Sequence, residues 1–318
     1  MIQSIFVLNG SKIENITSAQ LQEYSGKGFV WVDVEDSVDE DFEYLKNILP
    51  LHDLACDIVT RKYSRSKITE FDKHLFMIVH EPFEEGKKVS FLSTAFFIGD
   101  KFLVTAHKES LVSIDSVKRN IELNPSVFKR GPAYLVYLII DGVIDEYFPI
   151  LDSLDRNLNE VERLVFDNKS KATLTMIFNL RREVLDLRKK VIPAREVLGT
   201  LSRFESNYIP HKYSIYYRDL YDHLIRISEM IDAYRDLLTG ILDVHISIQS
   251  QRLNEVMKVL TVIATIMMPL TLITGFYGMN IIFPDVALLG DNTYWFVLIM
   301  MSAVVIIMLY YFKNKKWM

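Results

Sequence analysis

Val259-Leu260-Thr261-Val262-Ile263-Ala264-Thr265-Ile266-Met267-Met268-Pro269-Leu270-Thr271-Leu272-Ile273-Thr274-Gly275-Phe276 runs for 18 residues without a charge. An α-helix rises about 1.5 Å per residue and the hydrocarbon core of a bilayer is about 30 Å thick, so close to 20 apolar residues cross it. A second uncharged run, Tyr294 to Phe312, holds 19 residues. Two such runs side by side predict a pair of transmembrane helices and argue against buried helices of a soluble core. Pro269 withholds one backbone N–H, which a packed membrane helix tolerates because its neighbours re-satisfy the freed carbonyl. Tyr294-Trp295 and Tyr310-Tyr311, at the two ends of the second run, carry the amphipathic rings that settle at membrane–water interfaces.

Charge sets the expected orientation. The connecting segment Asn280 to Asn292 contains Asp285 and Asp291 but no Lys or Arg, whereas Lys313, Lys315 and Lys316 follow the second run and Arg252 and Lys258 precede the first. Basic residues stay on the cytoplasmic side, so both termini are expected inside and the short acidic loop outside, in a multi-pass protein of the cell (plasma) membrane. Met1-Ile2-Gln3-Ser4 offers neither a basic n-region nor an apolar h-region, so no cleaved signal peptide is expected and the soluble part should stay in the cytoplasm.

Composition removes several classes. The 318 residues are 50% hydrophobic with a net charge of −5, without the basic excess that neutralises a phosphate backbone, so nucleic acid is excluded as a partner. A single cysteine, Cys56, rules out an intrachain disulfide framework and paired thiolate metal sites, and its apolar setting, Leu54-Ala55-Cys56, reads as a small buried hydrophobe. The seven histidines show no HExxH spacing, and neither a GxSxG elbow nor a GxxxxGK[ST] loop occurs, so the chain is not expected to be an enzyme or to use ATP.

Periodicity divides the rest. Up to about residue 130, β-branched and aromatic runs such as Phe29 to Val34, Leu75 to Val79, Ala95 to Ile98 and Phe102 to Val104 alternate with short helical stretches near Val38–Ile48 and His52–Val59, which predicts an α/β cytoplasmic domain over 1–130. From Gly131-Pro132 the period becomes 3.6. Residues 131–212 read as an antiparallel helical hairpin, with arms at about Pro132–Phe166 and Lys171–Arg203, a turn near Asp167–Ser170 and a kink at Pro193. Residues 213–280 read as a stalk, one helix of roughly 90 Å from Tyr213 to Gly275, that continues into the first span, about 259–276. An external loop (281–292), the second span (293–312) and a basic cytoplasmic tail (313–318) complete the chain.

Within the stalk, Asp243, Ser247, Ser250, Asn254, Met257, Thr261, Ala264, Met268, Thr271 and Gly275 follow one another at steps of four and three, which places them on one helix face. A polar or small face inside a membrane is costly against lipid and must meet other helices or water. A packing seam would explain the small residues; the carboxylate of Asp243 and the amide of Asn254 on the same line favour a water-filled path.

At the outer end of that helix stands Thr274-Gly275-Phe276-Tyr277-Gly278-Met279-Asn280. With Gly278-Met279-Asn280 closing the first span, the stretch Asn254 to Thr261, the run Met268-Pro269-Leu270-Thr271 and the ending Lys315-Lys316-Trp317, the sequence resembles the CorA family of divalent-cation channels. The resemblance covers the chain in architecture and is closest from about Tyr216 onward. It implies a funnel-shaped homo-oligomer, a pentamer, with a central pore lined by the first transmembrane helix of each subunit, set in a lipid bilayer. Carried over by position, it makes Asn280, beside Gly278 and Met279, the ring that selects a hydrated Mg²⁺, Thr271 and Asn254 further polar rings, and Met268, Leu260 and Met257 apolar constrictions. Leu260 is one residue off the stripe, which holds Thr261. The resemblance also implies regulatory Mg²⁺ bound between subunits at Asp57 and Asp219, so that Mg²⁺ is both cargo and regulator, and it leaves Co²⁺ or Ni²⁺ as further permeant ions. Two alternatives stay open: a zinc transporter of the same superfamily, although no His or Cys cluster lies in the membrane path, and a membrane-anchored divalent-ion sensor that does not conduct.

Overall fold

The computed structural model describes residues 2–9, 12–24, 28–60, 65–86, 88–166, 172–203, 207–279, 292–315 and 317. It divides into two units, Met1–Ile241 and Leu242–Met318.

The first unit is built on one sheet. Its strands are β1 (Ile2–Asn9), β2 (Lys12–Asn15), β3 (Val30–Glu35), β4 (Lys67–Phe71), β5 (His74–Glu85), β6 (Lys88–Ile98) and β7 (Phe102–His107), in the order β2-β1-β3-β7-β6-β5-β4. β3 and β7 pair in parallel, Val30 opposite Phe102 through Glu35 opposite His107; the other pairings are antiparallel. The short helices α1 (Leu21–Tyr24), α2 (Asp39–Lys46) and α3 (Asp53–Thr60) bring Leu21, Phe42, Leu45, Ala55 and Cys56 onto a face made by Val30, Val32, Val34, Phe97 and Val104. Cys56 is buried there, and burial, against the nearby Lys46, pushes its thiol up to about 12.

After the sheet come α4 (Val112–Leu123), α5 (Pro125–Phe128), α6 (Pro132–Asp145), α7 (Tyr147–Phe166) and α8 (Ala172–Arg203), with α6 and α7 against β5. The strands β2 and β4 and the helix α4 are absent from the sequence reading. Both strands lie at the rims of the sheet, where charged residues such as Lys67 and Glu70 of β4 suit an edge and hide the apolar alternation. The arm read as Pro132–Phe166 is two helices. Pro149 falls in the first turn of α7, where it has no N–H for the Asp145 carbonyl and its ring would clash with that carbonyl in a continuous helix. Tyr147, beside the break, is 1% exposed and donates its hydroxyl to the His80 carbonyl at 2.9 Å. Pro193 lies inside α8, which continues across it. Leu151, Leu154, Leu158, Val161 and Val165 of α7 and Leu180, Val184, Leu187 and Val191 of α8 are buried, as their spacing predicts for packed arms; the turn at Asp167–Ser170 lies outside the described residues.

The helix α9 (Ser214–Tyr277) has 64 residues. Its first turns belong to the first unit, held by the Tyr217 hydroxyl donating to the Ala133 carbonyl (2.7 Å) and by Arg188 Nε on Asp232 Oδ1 (2.9 Å). The second unit consists of its remaining turns and α10 (Thr293–Asn314). Both helices contain windows long and apolar enough to cross a membrane, and only 6% of each window is buried within the chain. A core helix would be covered on most sides; these are left for lipid or for other chains.

Candidate functional site

On α9 the side most covered within the second unit follows Val262, Thr265, Ile266, Pro269, Leu270, Ile273 and Tyr277, at steps of one, three and four that keep to one flank of the helix. Leu270, Thr274 and Tyr277 share a groove with Tyr294, Val297, Leu298 and Met301. The stripe lies elsewhere. Asp243, Ser247, Ser250, Asn254, Met257, Thr261, Ala264, Met268, Thr271 and Gly275 are all exposed, Met268 to 74%. Leu260 and Thr261, the two rivals for one level of the stripe, are exposed alike.

The stripe's threonines share a hydrogen-bond pattern. Thr261 Oγ1 donates to the Met257 carbonyl at 2.7 Å and Thr271 Oγ1 to the Met267 carbonyl at 2.9 Å. Each hydroxyl spends its one proton on its own helix, and its lone pairs remain as acceptors. An acceptor is what the outer hydrogens of a hydrated cation require.

The end of α9 is shaped by its glycines. Gly278 N–H donates to the Thr274 carbonyl at 2.9 Å, and a Cβ at 278 would come within 2.8 Å of that carbonyl oxygen, so only glycine fits. Gly275 has nothing within 4 Å of its would-be Cβ and lines an open groove with Met268, Thr271 and Met279. The motif's third residue, Asn280, and the loop that carries Asp285 and Asp291 lie outside the described residues.

The two regulatory candidates occupy different elements. Asp57 is exposed on α3 and Asp219 is exposed in the second turn of α9. Among the described residues no hydrogen bond or ion pair joins them, and no three His, Cys, Asp or Glu side chains come together to hold a metal ion. Asp219 nevertheless has charged company that the sequence reading missed. The Asp141 carboxyl is raised above its ordinary value by burial and by Asp145 and Asp219, against the opposing influence of His223. Tyr137 is pushed up to about 12 by burial, Asp141, Tyr134 and Asp219. Two helices thus face each other with i,i+4 pairs, Asp141/Asp145 on α6 and Asp219/His223 on α9; either spacing was visible in the sequence, but not that they meet. The two pairs meet closely enough for the carboxylates to raise one another's affinity for a proton.

The chain is similar along nearly its whole length to known transport proteins. The profile of the CorA-like Mg²⁺ transporter proteins matches residues 26–315. The cobalt/magnesium transport protein CorA of Thermotoga maritima is 35% identical over 279 residues, covering 84% of this chain and 77% of that protein. The protein of the same description from Methanocaldococcus jannaschii is 27% identical over 325 residues, 99% of this chain and 100% of the other. The complete structure of the CorA magnesium transporter from M. jannaschii superposes with a TM-score of 0.88 at 24% identity, covering 100% of this chain and 99% of that one, a likeness of fold. With two membrane-length helices behind an α/β domain, the chain belongs to the CorA-like Mg²⁺ transporter family, a family of divalent-cation transporters of the membrane and not of enzymes.

Proposed function

We propose that the protein is a passive Mg²⁺ influx channel of the plasma membrane, a homopentamer whose pore is lined by the Asp243-to-Gly275 face of α9. The observation that carries this reading is the division of labour on α9, whose one flank is covered by α10 while the polar and small stripe stays uncovered. A bundle of such chains turns the stripes toward a common axis, with residues 1–130 and 131–212 as the cytoplasmic funnel, both termini inside, and the 281–292 loop outside.

Mg²⁺ gives up its waters reluctantly, so neutral acceptors that hydrogen-bond the hydrated ion suit it better than a tight carboxylate cage. Asn280, after Gly278 and Met279, supplies the selecting ring of amide carbonyls; Thr271 and Asn254 supply further polar rings; Met257, Leu260 and Met268 form apolar constrictions that pass ions only when widened or wetted. Asp243 draws cations at the cytoplasmic end. The membrane potential supplies the drive, about 2.3 kcal/mol per charge per 100 mV and twice that for a divalent ion. Cytoplasmic Mg²⁺ bound between Asp219 of one subunit and Asp57 of its neighbour holds the channel closed, and loss of that ion leaves the facing carboxylates to repel one another. Closure requires that Mg²⁺ bind the closed state better than the open one.

The test is uptake by the purified full chain in liposomes under an imposed inside-negative potential, resolved for Mg²⁺, Co²⁺, Ni²⁺ and Zn²⁺. Potential-dependent Mg²⁺ entry without ATP is expected. Entry of Zn²⁺ in preference to Mg²⁺ would give the zinc-transporter reading instead, and ion binding without flux would leave a sensor.

A further inference from the structure

A buried ionic cluster at the carboxyl ends of β3 and β7 has no part in the transport reading. Asp33 is 0% exposed and His107 4%. The Asp33 carboxylate accepts hydrogen bonds from Thr105 Oγ1 and, at 3.0 Å, from His107 Nε2, and its other oxygen is 2.6 Å from Lys118 Nζ of α4. His107 Nδ1 lies 2.7 Å from the backbone carbonyl of Glu109. A backbone carbonyl only accepts, and the Asp33 carboxylate beside Lys118 Nζ only accepts, so both contacts of the ring are satisfied together when both ring nitrogens carry protons. Thr105 cannot take its place, because its hydroxyl receives the Trp31 indole N–H at 3.0 Å and gives its own proton to Asp33.

Burial works against a charged imidazole, but the hydrogen bond and charge of Asp33, with the Glu109 carbonyl, outweigh it and hold His107 above its ordinary 6.5, against the opposing charge of Lys118. A group whose folded pKa is raised contributes stability that is complete below the unfolded value and is lost as pH rises through the folded one. The switch is therefore on the alkaline side. The groups around the ring are Asp33 and, in register opposite it, Glu35 on β3, Thr94 on β6, Lys118 with Asp115 on α4, and Lys108 and Glu109 in its own loop.

We propose that this cluster is a cytoplasmic pH switch: loss of a proton from His107 frees the Glu109 carbonyl and with it the 108–111 loop that sets the start of α4. A neutral imidazole keeps one N–H, and the charge of Asp33 retains it on Nε2. The Nδ1 lone pair then faces the Glu109 oxygen, and a bond becomes a repulsion. The start of α4 is also held by Ser113, whose hydroxyl donates to the buried carboxyl of Glu81, and by Ser110 Oγ, which donates to Asp115 Oδ2 at 2.7 Å. Ser113 also lies against Gly142, next to Asp141 in the acidic face around Asp219. Resting on the proposed closure by Mg²⁺, a loosened α4 weakens the arrangement that Mg²⁺ stabilises, so closing the channel takes more Mg²⁺ at alkaline pH.

Hydrogen exchange of the full chain in lipid nanodiscs, corrected for the intrinsic pH dependence, reads the switch without reference to transport. Protection of amides 112, 113 and 115, which donate to the Glu81 carboxyl and the Leu111 carbonyl, should fall at least about tenfold as pH rises from 6.5 to 9, the loss of one charge-assisted bond. His107→Gln should remove the step. Lys118→Met removes an opposing charge and should move the step upward by about one pH unit, an arm that survives if His107→Gln does not fold. Protection in the parent that does not change with pH, or a step unmoved in either variant, overturns the proposal. In liposomes, the half-closing Mg²⁺ concentration should rise severalfold between pH 6.5 and 8.5 in the parent and not in His107→Gln. Carboxylates titrating alone would bind Mg²⁺ more tightly as pH rises, so a fall in the parent overturns the coupling to closure. An exchange step with no Mg²⁺-dependent flux at any pH instead counts against the channel reading and leaves the switch standing.

Discussion

A methyl group on Gly142 would meet the Cβ of Ser113 at 3.1 Å and its Cα at 3.2 Å, so α4 and α6 touch almost backbone to backbone beside Asp141. Gly142→Val should force the helices apart and cost about 1–3 kcal/mol, read as a lowered thermal unfolding temperature in detergent. Gly142→Ala should be much milder, because its gain of about 1 kcal/mol in helix propensity offsets the tighter contact. Valine at parental stability would mean that the two helices can slide apart freely.

Thr271 gives its only proton to the Met267 carbonyl, so its value to a hydrated ion lies in its lone pairs. Thr271→Ser keeps them and should keep most of the uptake. Thr271→Val loses the acceptor and should slow Mg²⁺ uptake about tenfold, the equivalent of about 1.4 kcal/mol. Equal rates in the two variants would take Thr271 out of the ion path.

Leu260 is 57% exposed on α9 and is proposed to close the pore as an apolar ring. Leu260→Asn lets that ring wet, and the channel should leak under high internal Mg²⁺. Flux matching the parent under that condition would move the constriction to another level; Met257 and Met268 are the next to test in the same way.

For the proposed regulation, Asp57→Asn with Asp219→Asn removes both the proposed ligands of the cation and the repulsion that it would relieve. Uptake measured against internal Mg²⁺ should lose its inhibition, whatever the basal flux. Asp141→Asn, which thins the same acidic face while sparing both proposed ligands, should weaken inhibition only partly. An inhibition curve for the double variant superimposable on the parent's rejects the pair as sensor.

Asn280→Ala keeps Gly278 and Met279 and removes the amide proposed to select the ion. Mg²⁺ uptake should be abolished while the oligomer, checked by size-exclusion chromatography, still assembles. Wild-type uptake would sink the pore assignment at that position.

The membrane spans and the family were legible in the sequence because both rest on local and repetitive features. Lipid demands about 20 uncharged residues in one helix, and a helix face repeats every three or four positions, so Val259–Phe276, Tyr294–Phe312 and the stripe from Asp243 to Gly275 can be read in order along the chain. The short β2 and β4 were not legible, since edge strands carry charges on purpose. The break between α6 and α7 was legible in principle, from Pro149, and was overlooked because the apolar period runs straight through it.

Tertiary structure alone decided which residues of distant segments meet. His107 and Asp33 are 74 positions apart, and no period or motif links them; parallel pairing of β3 with β7 carries both to one end of the sheet. The same holds for Asp141 and Asp219, joined because α6 and α9 lie side by side, and for the choice of which flank of α9 is covered by α10. Sequence determined what each helix and strand could bury, through patterns that repeat within a few residues. The fold determined which charges share a low-dielectric surrounding, because electrostatic neighbours are set by packing across the sheet and between helices, and packing is non-local.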